Sequence, residues 1–285
     1  MADQGSSSVP RFVGQSIGRK ENRRFLTGRG KYVDDHSVPG MLYAHFVRSP
    51  MARAKIEKID ISAAKALPGV YGVFLAEDIN PTCKKPLPNI FAGDVALDKS
   101  GIPTPLAEGE VGYVGDPVVI IVAEDRYIAE DAADLVEIDY DPLDPIIEAA
   151  DAKNGKPCLP HLVNNVLSAT EMALPGSNEA FESAATVVKK TIAAARAAPS
   201  PMETRSLIAT TGAHEQVEVY FASQNPHHAR AYIADVLGLS ENDVRVISPD
   251  VGGGFGQKFF VHRDEIAVIQ ASRILGRPVK WVEDR

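Results

Sequence analysis

The sequence has 285 residues, of which 45% are hydrophobic and 24% charged, and this is enough apolar material for one large or two ordinary globular domains. The 30 Lys and Arg residues against 38 Asp and Glu give a formal net charge of −8, which argues against a general nucleic-acid binder and against binding to anionic membranes. The sequence shows no apolar run of membrane-spanning length and no secretory signal, so a cytoplasmic protein is expected.

The two cysteines, Cys83 and Cys158, lack the CxxC spacing and the nearby set of histidines that a metal site needs. A disulfide between them stays open, but two free thiols in a reducing compartment are the better interpretation. They are too few to hold an iron–sulfur cluster, which takes four ligands.

The first half of the chain predicts a mixed fold after a flexible N-terminus at residues 1–20. Runs of β-branched and aromatic residues predict strands, and apolar residues at helical spacing predict helices. The predicted strands lie at residues 42–47, 70–75, 118–122 and 136–140, and the predicted helices at 62–67 and 127–136. Residues 80–108 are rich in Pro, Gly and Asn and show no period, so they predict a long surface excursion.

Breaks rich in Gly, Pro and Asn at residues 151–180 predict a linker between two domains. Beyond it, the predicted strands lie at residues 187–192, 217–221, 244–247 and 279–282, and the predicted helices at 227–237 and 264–275. The chain ends three residues after the last of these strands, which therefore has no following partner in the chain. We expect a truncated chain on this ground.

The motif with the clearest chemical content is Gly252-Gly-Gly-Phe-Gly-Gln-Lys258, between a predicted strand and a predicted helix. The N–H groups of such a ribbon can point into one space and bind an anion. The motif is not a P-loop, because Lys258 follows Gln257 and precedes Phe259, and it is not a dinucleotide fingerprint, because residue 257 is not glycine. A plain structural turn remains the alternative.

A second polar segment, residues 223–228, lies where a predicted strand gives way to a helix. Asn225 and Pro226 are interpreted as the N-cap and first residue of that helix. Gln224 is placed to reach a site beyond the edge of the sheet.

These two segments resemble the first molybdopterin-binding domain of the xanthine oxidase, aldehyde oxidase and carbon monoxide dehydrogenase family, which has a Gln at a strand end followed by a GGGFG loop. Upstream, residues 27–35, 44–50, 114–119 and 123–133 resemble the family's a/b hammerhead domain, and Pro201-Met-Glu-Thr-Arg205 resembles the start of its cofactor domain. The resemblance implies an α+β fold. A hammerhead domain at residues 21–150 and a linker at 151–180 would precede the first part of a molybdopterin-binding domain at 181–285.

The resemblance also implies roles for single residues. Gln224 would donate a hydrogen bond to the apical oxygen ligand of molybdenum, and the backbone of the loop would line the cofactor, through Gly253, Gly254, Phe255 and Gly256. The pterin dithiolene supplies sulfur to the metal, so no protein metal ligand is expected. His45, within a predicted strand, is interpreted as a core or interface histidine.

The family's general-base Glu lies near its C-terminus and is expected beyond Arg285, so the catalytic residue of this chain is unknown. Glu203, Glu265 and Glu283 are interpreted as structural or solvent-facing.

The family's purine-oxidising members bind substrate with a Glu at the position of Phe259, so xanthine is not the expected substrate. Phe259 is a candidate residue of the substrate pocket, or else it packs in the core of a helix. Gln257 and the C-terminal residues resemble the carbon monoxide dehydrogenase-like branch.

The implied function is that of a cofactor-binding subunit of an oxidoreductase, which oxidises an aldehyde, an N-heterocycle or a substrate like carbon monoxide with water as the oxygen source. The implied cofactor is molybdopterin with Mo, in the cytosine dinucleotide form. The implied partners are an FAD-binding medium subunit, a [2Fe-2S] small subunit and the C-terminal remainder of the large subunit. A non-catalytic half that needs a C-terminal partner chain, and an unrelated α+β binding protein with a glycine turn, are the alternatives.

Overall fold

The structure, a computed structural model, describes residues 12–85, 87, 104–158, 165, 174–212 and 216–285. Within these ranges the strands are β1 Leu42–Arg48, β2 Ala54–Asp60, β3 Val70–Phe74, β4 Glu110–Val111, β5 Pro117–Ala123, β6 Glu137–Pro142, β7 Ser206–Thr211, β8 Val217–Phe221, β9 Val244–Ile247 and β10 Val279–Val282. The helices are α1 Asn22–Leu26, α2 Ser62–Ala66, α3 Ala76–Ile79, α4 Arg126–Asp134, α5 Ala149–Asn154, α6 Ser177–Glu182, α7 Pro226–Leu237 and α8 Arg263–Leu275.

Seven strands form one mixed sheet in the order β3-β5-β1-β10-β7-β8-β9, and three more form a small antiparallel sheet in the order β4-β2-β6. Strand β10 pairs in parallel with β1 on one side and antiparallel with β7 on the other. No strand follows β10 in the described chain, as the sequence predicts. Strand β10 nevertheless has a neighbour on each side, because both of its partners precede it in the sequence. The chain order of strands does not reveal their order in a sheet.

The two faces of β5 carry two separate cores. All seven residues of β5 are buried, as the sequence predicts for a strand covered on both sides. Ile120 and Val122 pack in a core with residues of α7 and α8, whereas Val119 and Ile121 pack in a core with residues of α2 and α4. The alternation of strand side chains therefore places a helical layer on each face of the sheet.

The caps predicted for helix α7 are confirmed. The Asn225 side chain accepts from the His228 N–H at 3.4 Å, Pro226 is the first helical residue, and Gly238 ends the helix in the left-handed conformation. These capping residues interact with neighbouring residues of the chain, so they can be recognised from the sequence alone.

The strand predicted at residues 187–192 is wrong. This segment has no regular secondary structure, and Val188 and Ile192 are 83% and 82% exposed. Its β-branched residues favour an extended backbone, but a strand also needs a neighbour to pair with, and none of the described residues pairs with it. Three strands that pattern reasoning did not predict, β2, β4 and β7, do find such neighbours.

The predicted domain division at residues 151–180 stays a prediction. The seven-stranded sheet runs across that division, because β1, β3 and β5 precede it and the other four strands follow it. Parts of three predicted segments lie outside the described residues: 1–11 of the N-terminus, 86 and 88–103 of the surface excursion, and 159–164 and 166–173 of the linker. Among the described residues, no helix combines the length and apolar character needed to cross a membrane.

Replacing the fully buried Ile120 by Ala is expected to lower the free energy of unfolding by about 2–5 kcal/mol, because it leaves a cavity in the core. The matched control is Ile192→Ala, which removes the same atoms from an exposed side chain and is expected to stay within about 0.5 kcal/mol of wild type. Urea unfolding measures both. Equal losses in the two variants would contradict the placement of β5.

Candidate cofactor site

The ends of two parallel strands bring the site together. Strands β8 and β9 pair in parallel, with Val217 opposite Val244, so their carboxyl ends lie at the same edge of the sheet. Gln224 follows β8, and the loop of residues 252–258, which we call the glycine loop, follows β9. A crevice beyond the carboxyl ends of parallel strands is a common position for a ligand.

Gln224 is held against the glycine loop by two hydrogen bonds. The Gly256 N–H donates to Gln224 Oε1 at 3.0 Å, and the Gln224 N–H donates to the Lys258 carbonyl oxygen at 2.9 Å. Because a backbone N–H can only donate, the first bond fixes the side-chain amide with its oxygen toward the loop and its NH2 group directed away from Gly256. The structure thus brings together the two segments that the sequence singles out. Their role toward a cofactor stays a prediction.

Three consecutive glycines are required by the packing of the protein itself. A Cβ atom on Gly252 would lie 2.5 Å from Glu203 Cβ, and one on Gly254 would lie 2.4 Å from Gln224 Cδ. At Gly253 the nearest atoms are 3.0 Å away on the Phe255 ring, and φ is +97°. Larger residues at 252 and 254 would push Glu203 and Gln224 out of place.

Phe255 is the one non-glycine residue with positive φ in the described part of the chain, at +52°. The left-handed conformation costs roughly 1–2 kcal/mol for a residue with a side chain. The Phe255 side chain is also 74% exposed, so burial within this chain does not offset that cost. Strained backbone of this kind is concentrated at binding sites and active sites.

Phe259 lies in a small aromatic cluster beside the loop. Its ring centroid is 4.7 Å from that of Phe260 and 6.1 Å from that of His228, both edge-on. Phe259 precedes helix α8, is 37% exposed and contacts His228 of helix α7, so both the pocket role and packing against a helix stay open. Its contact with a substrate stays a prediction.

A charged cluster surrounds Arg205. Arg205 pairs with Glu283, with Asp264 at 3.1 Å and with Glu265 at 3.4 Å, and its guanidinium lies 5.2 Å from the centre of the Trp281 ring. Burial opposes the charge of Arg205, but the three carboxylates together raise its pKa above the ordinary value. Glu265 and Glu283 thus have structural roles, as the sequence interpretation holds.

A cavity of about 670 Å³ lies beside this cluster. Its walls include Arg205, Gln257, His262, Arg263, Asp264 and Trp281. Of the described residues that line it, Gln257 alone belongs to the glycine loop, and its buried Oε1 has no hydrogen-bond partner among those residues. Sequence reasoning missed the cavity because its walls come from distant segments that carry no shared motif.

His45 lies in a separate group of possible metal ligands. One ligand atom each of His45, Glu130 and Asp284 lie within 4.8 Å of one another, and burial lowers the pKa of His45. Arg126 lies 3.4 Å from Glu130 and 3.5 Å from Asp284, so a guanidinium already pairs with both acids. This arrangement opposes a bound cation.

Replacing Gly254 by Ala is expected to displace Gln224, lower the free energy of unfolding by about 1–3 kcal/mol and speed amide exchange at Gly256. Gly212→Ala is the matched control, because that glycine also has no positive φ and its nearest atom is 3.7 Å away. Denaturant unfolding and hydrogen exchange measure the two effects. Stability and Gly256 exchange like those of wild type would contradict the packing of Gln224 on Gly254.

Two domain families match the chain. Residues 27–144 match the a/b hammerhead domain of aldehyde oxidase and xanthine dehydrogenase, and residues 161–285 match the molybdopterin cofactor-binding domain. The α+β fold predicted from the sequence, with the hammerhead domain first, is confirmed.

Proteins of several activities are similar over nearly the whole chain. The large subunit of nicotine 6-hydroxylase from Paenarthrobacter nicotinovorans is 40% identical over 96% of this chain and 33% of its own length. The large chain of carbon monoxide dehydrogenase from Hydrogenophaga pseudoflava is 37% identical over 93% of this chain and 34% of its own. In the crystal structure of quinoline 2-oxidoreductase from Pseudomonas putida 86, a chain with 38% identity superposes with a TM-score of 0.83 over 95% of this chain and 34% of its own.

The chain thus spans about a third of the length of these relatives. The two matched domains occur in the order that the sequence predicts, and the similar proteins are of the type that the sequence predicts. Over both matched domains the chain is therefore similar to the molybdopterin-binding large subunits of the xanthine dehydrogenase, aldehyde oxidase and carbon monoxide dehydrogenase family.

Proposed function

We propose that Gln224 and the glycine loop bind the molybdenum–pterin cofactor of a hydroxylase. The observation that carries this proposal is a set of hydrogen-bond donors at one edge of the sheet. The N–H groups of Gly253, Gly254 and Phe255 make no hydrogen bond to another described residue, and the same holds for the side-chain NH2 of Gln224. Donors of this kind fit an oxygen-rich, anionic ligand.

The residues present fit the cofactor in a second respect. Gly253, Phe255 and Gly256 have positive φ, at +97°, +52° and +90°, and left-handed residues within a loop can direct neighbouring N–H groups into a shared concavity. A cofactor that brings its own sulfur ligands to the metal needs donors from the protein rather than metal ligands. The glycine loop offers donors and no thiol or imidazole.

When bound, the cofactor would supply the oxidising centre for a hydroxylation in which water is the source of oxygen. The chain's own part is to bind and to orient it. Gln224 would donate to an oxygen of the cofactor through its fixed NH2 group, and the exposed Phe255 ring is available to cover one side of it.

The proposed substrate is a small molecule, and an N-heterocycle is favoured over an aldehyde or carbon monoxide. The names of two similar proteins, a nicotine hydroxylase and a quinoline oxidoreductase, support this choice. The aromatic cluster around Phe259 offers a wall against which a flat heterocycle stacks.

We further propose the cytosine dinucleotide form of the cofactor, FAD and [2Fe-2S] centres on partner subunits, and a general-base Glu supplied by further residues of the large subunit. The matches to the two domain families support all of these. A cytoplasmic location is proposed as well, and the two free cysteines support it.

A second candidate is a chain that is not catalytic alone and needs a C-terminal partner chain for activity. The observation that favours it is the share of the relatives that the chain spans, about a third. Co-expression with the C-terminal two thirds of a relative, followed by a molybdenum assay, distinguishes a functional half from an inert one.

Replacing Gln224 by Ala in the protein purified from a host that makes the cofactor is expected to lower bound molybdenum or turnover by about 10–100-fold, because a donor to the cofactor is lost. Elemental analysis measures the metal, and fluorescence after oxidation measures the pterin. Gln216→Ala, at an exposed position in the strand connection before β8, is the control and should leave both unchanged. Wild-type protein without molybdenum or pterin would contradict the proposed function.

A further inference from the structure

One carboxylate contacts both ends of the glycine loop. Glu203 Oε2 accepts from the Gly252 N–H at 2.8 Å and from Lys258 Nζ at 2.8 Å. The Glu203 N–H also donates to the Gly252 carbonyl oxygen at 3.3 Å. The first and last residues of the loop are therefore tied to each other through the side chain of one distant residue.

The two charges of this pair are buried. The Lys258 side chain is completely buried and that of Glu203 is 11% exposed. An ammonium group in such a place needs an anionic partner, because desolvation without one is very unfavourable. The Lys that closes the glycine motif is thus directed into the protein toward Glu203, and does not face a phosphate as the Lys of a P-loop does.

The pair also reaches the N-terminal part of the chain. Glu203 Oε1 accepts from the Val33 N–H at 3.4 Å. Just before the loop, Asp250 accepts from the Lys31 N–H at 2.7 Å and pairs with Arg24. Residues 24–33 therefore brace the approach to the glycine loop from outside the cofactor domain.

The position of Lys258 also sets that of Gln224. The Lys258 carbonyl oxygen accepts the Gln224 N–H at 2.9 Å, so a shift of Lys258 moves the residue whose amide faces the site. The Glu203 side chain further occupies the space next to Gly252, where a Cβ atom would lie 2.5 Å away. Contacts thus run without a gap from Glu203 through Lys258 to Gln224.

We propose that Glu203 and Lys258 are positioning residues, whose buried ion pair sets the spacing of the two ends of the glycine loop and aligns Gln224 with the free N–H groups of residues 253–255. The part of this inference that concerns the cofactor rests on the proposed function. The part that concerns the shape of the loop does not.

Two variants of the purified full-length protein test the proposal. Glu203→Gln keeps the shape of the side chain and removes its charge. The double variant, Glu203→Gln with Lys258→Met, removes both charges, so that no unpaired ion stays buried and the protein is expected to regain its melting temperature. The double variant allows the same measurements if the single variant does not fold.

The readouts separate positioning from general stability. In both variants we expect amide exchange of Gly256 and Gln257 to rise at least about tenfold, bound molybdenum to fall at least about tenfold, and the Mo(V) electron paramagnetic resonance signal of the remaining loaded protein to change shape. The positioning role is supported if the double variant regains the wild-type melting temperature while its amide exchange, bound molybdenum and Mo(V) signal stay altered. Recovery of all of them together, or wild-type loop exchange in the single variant, would overturn it.

Glu110→Gln is the matched control. Glu110 pairs with Arg53 at 2.6 Å and its side chain is 10% exposed, close to the burial of Glu203, but it lies in strand β4 of the small sheet. This variant is expected to lose stability and to keep wild-type loop exchange and molybdenum content. If wild-type protein binds no molybdenum, the proposed function fails, and the exchange data still decide the role of the ion pair.

Discussion

The pairing of β10 with β1 and β7 is the constraint on which the rest of the structure depends. It joins strands from the two ends of the chain into one sheet, with Leu42 opposite Val279 and Ala209 opposite Val279 on the other side. It also places the residues that flank β7 and β10 side by side, and the Glu283 N–H donates to the Arg205 carbonyl oxygen at 2.9 Å. Arg205 lies two residues beyond Glu203, so the register of this pair fixes where Glu203 meets the glycine loop.

Buried charges around the loop are organised as pairs, and this organisation explains why so many are tolerated. Arg205 and Lys258 are among the most buried cations of the described chain, at 10% and 0% side-chain exposure, and each contacts at least one carboxylate. Removing one member of such a pair leaves a charge without a partner, which is costlier than replacing both. The network therefore favours a single arrangement of the loop over alternatives in which the charges separate.

The sequence predicts those features that depend on neighbours along the chain. Asn225, Pro226 and Gly238 set the ends of α7 through local hydrogen bonds and backbone preferences, and β5 shows its burial in an unbroken β-branched run. The resemblance to the family implied that Gln224 and the glycine loop act together, and the parallel pairing of β8 with β9 accounts for their approach. Residues 187–192 show the limit of this reasoning, since their composition predicts a strand and the fold gives them no partner.

The side chains that brace the site could not be predicted in this way. Glu203, Arg205 and Lys258 belong to segments that meet only through the order of the strands, and no local pattern marks which acid faces which base. The cavity beside Arg205 has the same origin, because its walls are brought together by the sheet rather than by a motif.

The glycine run itself carries less functional information than its appearance suggests. Gly252 and Gly254 have no room for a Cβ atom because Glu203 and Gln224 lie against them, so the packing of the chain accounts for both without a ligand. A structural turn would show the same crowding. What a turn does not require is the exposed Phe255 at positive φ, next to N–H groups that find no acceptor in the described chain. Strain and unpaired donors at one point are the features that favour the proposed binding loop over a plain turn.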